Sequence, residues 1–233
     1  IARITFTVTA GQALGIIGPS GSGKSTLSRA LVGAWLPLAG KVRLDGASLD
    51  QWNREELGTH IGYLPQGVEL FDGTIADNIA RFENAPDPLA VVAAAKEAGA
   101  HEIILRMEHG YETRIGEGGS ALSAGQRQRI GLARALYRDP FLVVLDEPNA
   151  NLDAEGEAAL VEAIGTIRKR GGIVVVIAHR PSAIGVVDLV LMVEAGRQKA
   201  FGPRDESLTR REVGVAQTAV QGHDDRGLGA VEQ

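Results

Sequence analysis

The hydrophobic positions of the chain form two kinds of pattern, and each predicts a different kind of strand. Apolar and polar side chains alternate over residues 4–8, which is the period of a strand with one buried face. Residues 141–145, 173–178 and 189–193 are continuous apolar runs rich in Val, Leu and Ile. Such runs are typical of parallel strands that are covered on both faces. The sequence therefore predicts an N-terminal antiparallel β part and a mostly parallel core sheet.

Apolar residues recur at helical spacing in two further segments. Between residues 160 and 167 they follow the i, i+3, i+4, i+7 pattern, on a helix that we expect to end before Gly171. This helix joins two of the apolar runs, so that strand, helix and strand form a crossover unit. Residues 72–138 lack strong strand patterns but have helical spacing around residues 89–107. We expect a helical insertion there, within an α/β fold.

Composition indicates a globular protein with a loose end. The chain has 233 residues, of which 44% are hydrophobic and 23% charged, enough to bury a sizeable core. We predict one domain over residues 1–212 and a loose C-terminal tail at 213–233, where no periodic pattern persists. The chain starts at Ile1 without an initiator Met or a signal segment, and we therefore expect further polypeptide upstream.

Charge and residue usage exclude several classes of function. The chain has 24 basic and 29 acidic residues, a net charge of -5, and so lacks the basic excess of a protein that follows a nucleic-acid backbone. It has no cysteine, which excludes disulfides, thiolate metal sites and a Cys nucleophile. Its longest apolar runs are far below the ~18 to 20 residues that cross a bilayer.

A glycine-rich segment carries the clearest chemical motif. Residues 18–25 fit the pattern GxxxxGK[ST], between a predicted strand at 14–17 and a helix-forming segment at 26–32. Backbone N–H groups in such a loop point at phosphate oxygens, and the helix N-terminus adds positive charge. Lys24 would reach the terminal phosphates, and Ser25 would offer its hydroxyl to Mg²⁺. We predict that ATP or another nucleoside triphosphate binds Gly18, Pro19, Ser20, Gly21, Ser22, Gly23, Lys24, Ser25 and Thr26.

Two adjacent carboxylates follow the apolar run at 141–145. Asp146 and Glu147 come at the C-terminal end of this predicted strand, where ligands bind in open parallel sheets. Asp146 is suited to hold Mg²⁺ or one of its waters. Glu147 is then free to polarise a water for in-line attack on the γ-phosphate.

A third motif resembles a known family. Residues 122–126 read Leu-Ser-Ala-Gly-Gln and precede the helix-forming segment 127–136. This stretch resembles the LSGGQ signature of ATP-binding cassette (ABC) ATPases, and it lies about 20 residues before Asp146 as in that family. The resemblance implies a P-loop NTPase fold with a RecA-like core. It also implies a homodimer in which Ser123, Gly125 and Gln126 close over the nucleotide of a second nucleotide-binding domain.

The resemblance extends over most of the chain and assigns further residues. Gln66 matches the glutamine that touches Mg²⁺ and the attacking water in the family, while His179 matches the switch histidine that contacts the γ-phosphate. We therefore expect Glu147, His179 and Gln66 to be catalytic. The metal would be held by Ser25, Gln66 and Asp146. Residues 151–153 correspond to the D-loop, which crosses to the partner subunit.

Other segments resemble the exporter branch of the family. Residues 113–119 are similar to the X-loop, which faces the membrane domain, and residues 70–79 also resemble exporter sequences. The amino-acid sequences of residues 63–82 and 116–153 are most similar to those of type I secretion ATPases, which export proteases and related proteins. The resemblance implies a transmembrane domain in the same polypeptide, membrane-fusion and outer-membrane partners, and a place at the cytoplasmic face of a bacterial inner membrane.

The chain departs from the family pattern at two positions. Ala124 stands where the family usually has Gly, and we expect a loss of affinity or turnover if that site requires φ above zero. Ala150 stands where many members have Ser. The adenine-stacking aromatic of the family lies upstream of the first strand, and we expect it to precede Ile1.

Three other functions compete with an exporter ATPase. A soluble ABC ATPase acting on DNA, ribosomes or cluster assembly would lack a membrane partner, but the X-loop-like segment argues against it. A P-loop kinase or GTPase would leave the signature unexplained, and no NKxD-type guanine reader is present. A degenerate cassette that only binds nucleotide is supported by Ala124 and Ala150 alone.

Overall fold

Six strands form the central sheet of the computed structural model, which describes residues 1–178 and 184–206. The strands in chain order, including a separate two-stranded hairpin, are β1 (Ala13–Ile17), β2 (Arg43–Leu44), β3 (Ala47–Ser48), β4 (Ile61–Leu64), β5 (Leu142–Asp146), β6 (Ile173–Ile177), β7 (Leu189–Glu194) and β8 (Arg197–Pro203). The spatial order in the central sheet is β4-β5-β6-β1-β7-β8; the first five of these strands are parallel, and β8 pairs antiparallel with β7. This confirms the mostly parallel sheet predicted from the apolar runs.

Helices occupy the segments between the strands. In chain order they are α1 (Lys24–Leu31), α2 (Arg54–His60), α3 (Ile75–Ile79), α4 (Pro88–Glu97), α5 (His101–Leu105), α6 (Ala124–Leu136) and α7 (Ala154–Lys169). Four of them, α3 to α6, fall within residues 72–138, as expected for a helical insertion. In that stretch the only β pairing within the described residues is an isolated bridge between Thr74 and Arg114. The division of the chain into domain and subdomain stays a prediction.

Both faces of the sheet are covered by hydrophobic cores. On β5, Val143 and Leu145 pack into one core with α6 and α7, whereas Leu142 and Val144 pack into the other with α1. The two cores explain why the strands are apolar at every position, because successive side chains point to opposite faces. The predicted stripe of α7 is buried at Leu160, Ala163, Ile164 and Ile167.

The N-terminal segment differs from its prediction. Residues 1–12 contain no strand, although Ile4, Phe6 and Val8 pack against the second core. The Thr5 amide donates to the side chain of Gln198 at 2.9 Å, outside any strand ladder. The alternation over residues 4–8 therefore reflects burial of one face of the segment, without hydrogen-bonded pairing to another strand. N-terminal antiparallel structure is limited to the β2–β3 hairpin.

Two further observations concern membrane spanning and the predicted C-terminal tail. No helix within residues 1–178 and 184–206 is both long enough and apolar enough to span a bilayer. The predicted tail at 213–233 lies outside the described residues.

Candidate active site

The predicted site residues follow strands that end at one edge of the sheet. Leu64 of β4 is in register with Leu145 of β5, and Ile177 of β6 is in register with both Asp146 and Ile16. The glycine-rich loop follows β1, Asp146 ends β5 with Glu147 directly after it, and Gln66 lies two residues beyond β4. This is the edge at which open parallel sheets bind their ligands.

Glycines shape the loop between β1 and α1. Gly18 has φ 153°, and a Cβ at this position would overlap the carbonyl oxygen of Val193 in β7. Gly21 has φ 72°, and a Cβ there would have no neighbour within 4 Å. Opposite the base of the loop, the Gly196 amide donates to the Ser22 carbonyl oxygen at 3.1 Å. The loop therefore lies tightly against β7 and leaves open space beside Gly21.

Lys24 brings a buried positive charge to the loop. It is the first residue of α1, and its Nζ donates to the carbonyl oxygens of Gly18 at 3.0 Å and Pro19 at 2.8 Å. Burial lowers the pKa of the Lys24 ammonium below its usual 10.5, while the nearby charges of Glu147 and Asp146 act to raise it. The ammonium is therefore within electrostatic reach of both carboxylates, as the sequence predicts.

Asp146 presents an unsatisfied oxygen at the end of β5. Its Oδ2 accepts a hydrogen bond from Ser28 Oγ at 3.3 Å, whereas its buried Oδ1 has no partner. Burial raises the pKa of the Asp146 carboxyl above its ordinary 3.8, and hydrogen bonds from the Ser25 and Ser28 hydroxyls act to lower it. An oxygen that is dehydrated and unpaired is suited to an additional cation.

The oxygen groups beside the loop fit Mg²⁺. This ion prefers oxygen ligands, and it is commonly held by one or two carboxylates together with substrate phosphates and water. Asp146 supplies the carboxylate and Ser25 the neighbouring hydroxyl. No group of three or more His, Asp or Glu side chains that could hold a metal occurs in the part of the chain that the structure describes. A metal at Asp146 would therefore complete its shell with phosphate and water.

Glu147 adopts an unusual backbone conformation directly after β5. Its φ is 53°, a left-handed value that is unfavourable for a non-glycine residue by about 1 kcal/mol or more. Its amide donates to the Ile177 carbonyl oxygen at 2.8 Å, which holds the turn against β6. The strained residue lies next to Asp146, where the chain leaves the sheet.

Ser123 and Gln126 cap the N-terminus of α6. The Ser123 Oγ accepts from the Gln126 amide at 3.2 Å, and the Gln126 Oε1 accepts from the Ser123 amide at 2.8 Å. Ala124 is the first residue of this helix, and it is not among the residues with positive φ. The condition on which we expected Ala124 to impair the site is therefore absent in this structure. Its methyl group is exposed and causes no backbone strain.

The remaining predicted residues are located less fully. Gln66 is exposed two residues beyond the end of β4, on the edge that carries the carboxylates. His179 lies outside the described residues. Residues 117–119 of the X-loop-like segment form an irregular turn in which Gly118 has φ 67°. The catalytic, nucleotide-binding and metal-binding roles of all these positions stay predictions.

Sequence reasoning missed several polar residues around the site. Ser28 follows Lys24 by four positions and donates to Asp146, and its Oγ also lies 3.3 Å from the Tyr63 hydroxyl. Helical spacing from Lys24 would have predicted its position, because residues four apart share a helix face. Gln128 and Arg129 are buried at 3% and 4% exposure beside the signature. Polar residues after a signature motif gave no indication of such burial.

Comparisons with known proteins agree with this geometry. The profile of the family described as "ABC transporter" matches residues 1–150. The type I secretion system ATP-binding protein PrsD of Rhizobium meliloti (strain 1021) is 63% identical over 208 residues, which are 89% of this chain and 36% of that protein. An ATP-dependent lipid A-core flippase of Burkholderia pseudomallei (strain 1710b) is 40% identical over 205 residues, 88% of this chain and 34% of the flippase.

A solved structure is similar in fold as well. A bacterial Atm1-family ABC exporter with ATP bound superposes with a TM-score of 0.82 at 33% identity, over 95% of this chain and 39% of the exporter chain. The chain thus spans about a third of the length of the curated relatives described above, with 36% and 34% of their lengths covered.

Proposed function

Because the chain belongs to the ABC transporter family, as one of its ATP-binding domains, we propose that it hydrolyses ATP to drive an inner-membrane exporter of the type I secretion class. The observation that carries the proposal is the convergence of Lys24, Asp146 and Glu147 at one sheet edge. These residues supply a phosphate-binding cation, a metal-binding carboxylate and a second carboxylate for water. Together they form the minimum set for hydrolysis of a triphosphate.

The chain's own residues divide the reaction between them. The loop amides and Lys24 bind and neutralise the β- and γ-phosphates, and Ser25 and Asp146 would hold Mg²⁺. When bound, this ion offsets negative charge that develops on the phosphate oxygens. Glu147 orients a water in line with the γ-phosphate and accepts its proton at a carboxylate oxygen. Gln66 would contact Mg²⁺ and the attacking water, and His179 would contact the γ-phosphate.

Dimerisation supplies the remaining part of the site. Ser123 is exposed at the N-terminus of α6, where free backbone N–H groups and the helix dipole favour an anion. In a homodimer, Ser123, Gly125 and Gln126 of one subunit would close over the γ-phosphate held by the other. ATP then favours the closed dimer and hydrolysis opens it, and this difference can drive an attached membrane domain.

Several exposed apolar side chains could contact that membrane domain. Trp35, Leu36, Phe71 and Phe82 are large exposed apolar side chains. Leu36 also lines a cavity of about 520 Å³, whose wall includes Trp52 with an indole N–H that has no hydrogen-bond partner. Exposed apolar surface of this kind is typical of a protein contact. We infer that these side chains and the X-loop segment meet the transmembrane domain at the cytoplasmic side of the membrane.

Replacement of Glu147 tests the hydrolytic role. We expect Glu147→Gln to lower kcat for ATP at least about 100-fold, because the amide cannot accept the proton from water. ATP should still bind and should now accumulate the dimer, measured by size-exclusion chromatography with light scattering. Lys24→Ala should abolish both binding and dimer formation.

A matched variant controls for the loss of a carboxylate. Glu155 is an exposed acid in the first turn of α7, and Glu155→Gln should keep the turnover of the unmodified protein. Unchanged hydrolysis in Glu147→Gln would refute the assignment. The type I secretion role is tested separately by deleting the gene and following protein export. Export should return with the unmodified gene and not with the Glu147→Gln form.

A further inference from the structure

Two hydroxyl groups form a chain of hydrogen bonds that ends at the Asp146 carboxylate. Ser28 is fully buried on α1, and its Oγ donates to the Asp146 Oδ2 at 3.3 Å. The Tyr63 hydroxyl, which comes from β4, lies 3.3 Å from the same Oγ. Asp146 is itself only 1% exposed, so water scarcely reaches its carboxylate. The hydroxyls therefore supply hydrogen bonding that solvent cannot supply there.

The direction of these hydrogen bonds follows from the number of protons. A serine hydroxyl carries one proton, and Ser28 has two acceptors for it, the Asp146 Oδ2 and the Ser25 carbonyl oxygen at 2.9 Å. The carbonyl oxygen is nearer, whereas the carboxylate is charged and attracts the proton more strongly. Because both acceptors compete for the Ser28 proton, we assign Tyr63 as the donor to the Ser28 Oγ. Donation by Tyr63 makes the Ser28 hydroxyl a stronger donor in turn.

Both hydroxyls are held in place by the fold. Ser28 lies in the second turn of α1, the helix that begins at Lys24. Tyr63 is in register with Val144, two residues before Asp146 on the neighbouring strand β5, and it packs against the second core. The two side chains thus approach Asp146 from a helix and from an adjacent strand. Their positions do not depend on the glycine-rich loop.

A hydrogen bond to one carboxylate oxygen also fixes the direction of the other oxygen. Ser28 contacts Oδ2 of Asp146, whereas Oδ1 is buried without a hydrogen-bond partner. Without the Ser28 hydroxyl, the carboxylate could turn about its Cβ–Cγ bond and exchange its two oxygens. A metal ion is bound more tightly by a ligand whose orientation is already set by a hydrogen bond. The contact with Ser28 therefore affects the oxygen that it does not touch.

We propose that Ser28 and Tyr63 are positioning residues that orient the Asp146 carboxylate for Mg²⁺. The inference rests on the proposed function, in which Asp146 holds the ion together with nucleotide phosphates. Neither hydroxyl contacts the ion or the nucleotide in this scheme. Their loss should therefore lower the affinity for the metal and leave the affinity for metal-free nucleotide unchanged.

The test measures metal affinity directly. Mn²⁺ takes the same oxygen ligands as Mg²⁺, and the EPR signal of the free ion shows how much of it is bound. Mn²⁺ is titrated into a complex of the protein with a non-hydrolysable ATP analogue, with protein in excess so that little analogue is free. We expect Ser28→Ala to weaken Mn²⁺ binding about tenfold, as is usual when the partner of a metal ligand is removed. Tyr63→Phe should weaken it about twofold or more.

Hydrolysis gives a second measurement that separates metal binding from the chemical step. The Mg²⁺ concentration for half-maximal hydrolysis should rise about tenfold in Ser28→Ala. At saturating Mg²⁺, kcat should recover to within about twofold of the unmodified value. Affinity for the analogue in EDTA should stay unchanged in both variants. The double variant should match Ser28→Ala, because Tyr63 acts on Asp146 through Ser28.

Ser48 provides a matched control in β3. It is also buried, and its Oγ donates to the Gln51 Oε1 at 2.9 Å. Ser48→Ala removes a buried hydroxyl as Ser28→Ala does, and it should lower Tm but leave Mn²⁺ affinity unchanged. Equal losses of Mn²⁺ affinity in the two alanine variants would overturn the positioning role. Tyr63→Phe keeps its ring in the core, so it decides the outcome if Ser28→Ala fails to fold.

The same measurements separate this inference from the proposed function. Unchanged Mn²⁺ affinity in Ser28→Ala and Tyr63→Phe would overturn the inference, while hydrolysis that depends on Lys24 would still support the ATPase. If Ser28→Ala does not fold, unchanged affinity in Tyr63→Phe alone would overturn it. Absence of any analogue binding or hydrolysis that depends on Lys24 would instead overturn the proposed function, and the inference with it.

Discussion

Asp146 carries two requirements that conflict within one side chain. In the proposed metal-binding role, one carboxylate oxygen must be kept free of protein partners. At the buried end of β5, however, an oxygen without a partner also loses its water, and the Asp146 Oδ1 is both buried and without a hydrogen-bond partner. The cost is visible in the direction of the Asp146 pKa, which burial raises above 3.8. Hydrogen bonds from Ser25 and Ser28 recover part of that cost. The residue is therefore prepared for a cation at the expense of the unliganded fold.

Removal of this charge should stabilise the protein and inactivate it. We expect Asp146→Asn to raise Tm without nucleotide, because an amide needs less hydration and can still accept from Ser28. The folded state holds the Asp146 proton more tightly than the unfolded state does. Ionisation of the carboxyl therefore lowers the free energy of unfolding as pH rises above 3.8, and this loss is complete above the raised pKa. The gain in stability should thus vanish in strong acid. Thermal melts across pH, with hydrolysis assayed in parallel, measure both effects; a lower Tm at neutral pH would contradict the argument.

In the proposed dimer, helix α6 combines a structural and a catalytic task. Its capping box consumes the side chains of Ser123 and Gln126 within the subunit, while its exposed N-terminus is offered to a partner. The cap fixes the direction of the helix before any nucleotide arrives. Capping and phosphate contact are therefore alternative explanations of Ser123 that a pair of substitutions can separate.

The pair consists of Ser123→Asn and Ser123→Ala. Asparagine caps helices as well as serine does, so Ser123→Asn should keep the free energy of unfolding, whereas Ser123→Ala should lose about 1 kcal/mol. Both should lower hydrolysis if Ser123 contacts the γ-phosphate across the dimer. Chemical denaturation and phosphate release measure the two effects. Full activity in Ser123→Asn would leave the serine with a capping role alone.

Elements were predictable where the pattern has one physical cause. The run in β5 is apolar because both faces of the sheet are covered, and the stripe of α7 follows from a single buried face. Residues 4–8 alternate in the same way as a strand, but burial on one face does not require a ladder. The contacts of Arg129 with the Gly99 carbonyl and the Asp153 carboxylate were not predictable, because both residues are distant from Arg129 in sequence and no local pattern indicates such a pair.

At the scale of the whole molecule, the phosphate loop and the carboxylate pair meet only because four strands are parallel and in register. Their ends place residues from distant parts of the chain at one edge. The sequence predicted this meeting because the loop and the carboxylates both follow predicted strands, and the strand register supplies its physical basis. Within residues 1–178 and 184–206 no group of three or more His, Asp or Glu side chains could hold a metal, so the proposed Mg²⁺ site relies on phosphate ligands.

Thermal stability should therefore respond to Mg²⁺ only with nucleotide. We expect Mg²⁺ or EDTA alone to leave Tm unchanged, since the protein supplies too few ligands to hold the ion firmly. In the Glu147→Gln form, ATP with Mg²⁺ at 100 times Kd should add about 2.7 kcal/mol by mass action. That corresponds to roughly 5 to 10 °C for a chain of this size. A large shift with Mg²⁺ alone would reveal a metal site that does not depend on phosphate.

The hydrogen bond between Gly196 and Ser22 has a practical consequence. It ties the β7–β8 turn to the glycine-rich loop, while the neighbouring Arg197 side chain is exposed. Because the sequence contains no cysteine, Arg197→Cys would accept a single fluorophore at a position outside the reacting groups. Light emitted from beside this turn would then report, in real time, when nucleotide binds to the loop and leaves it.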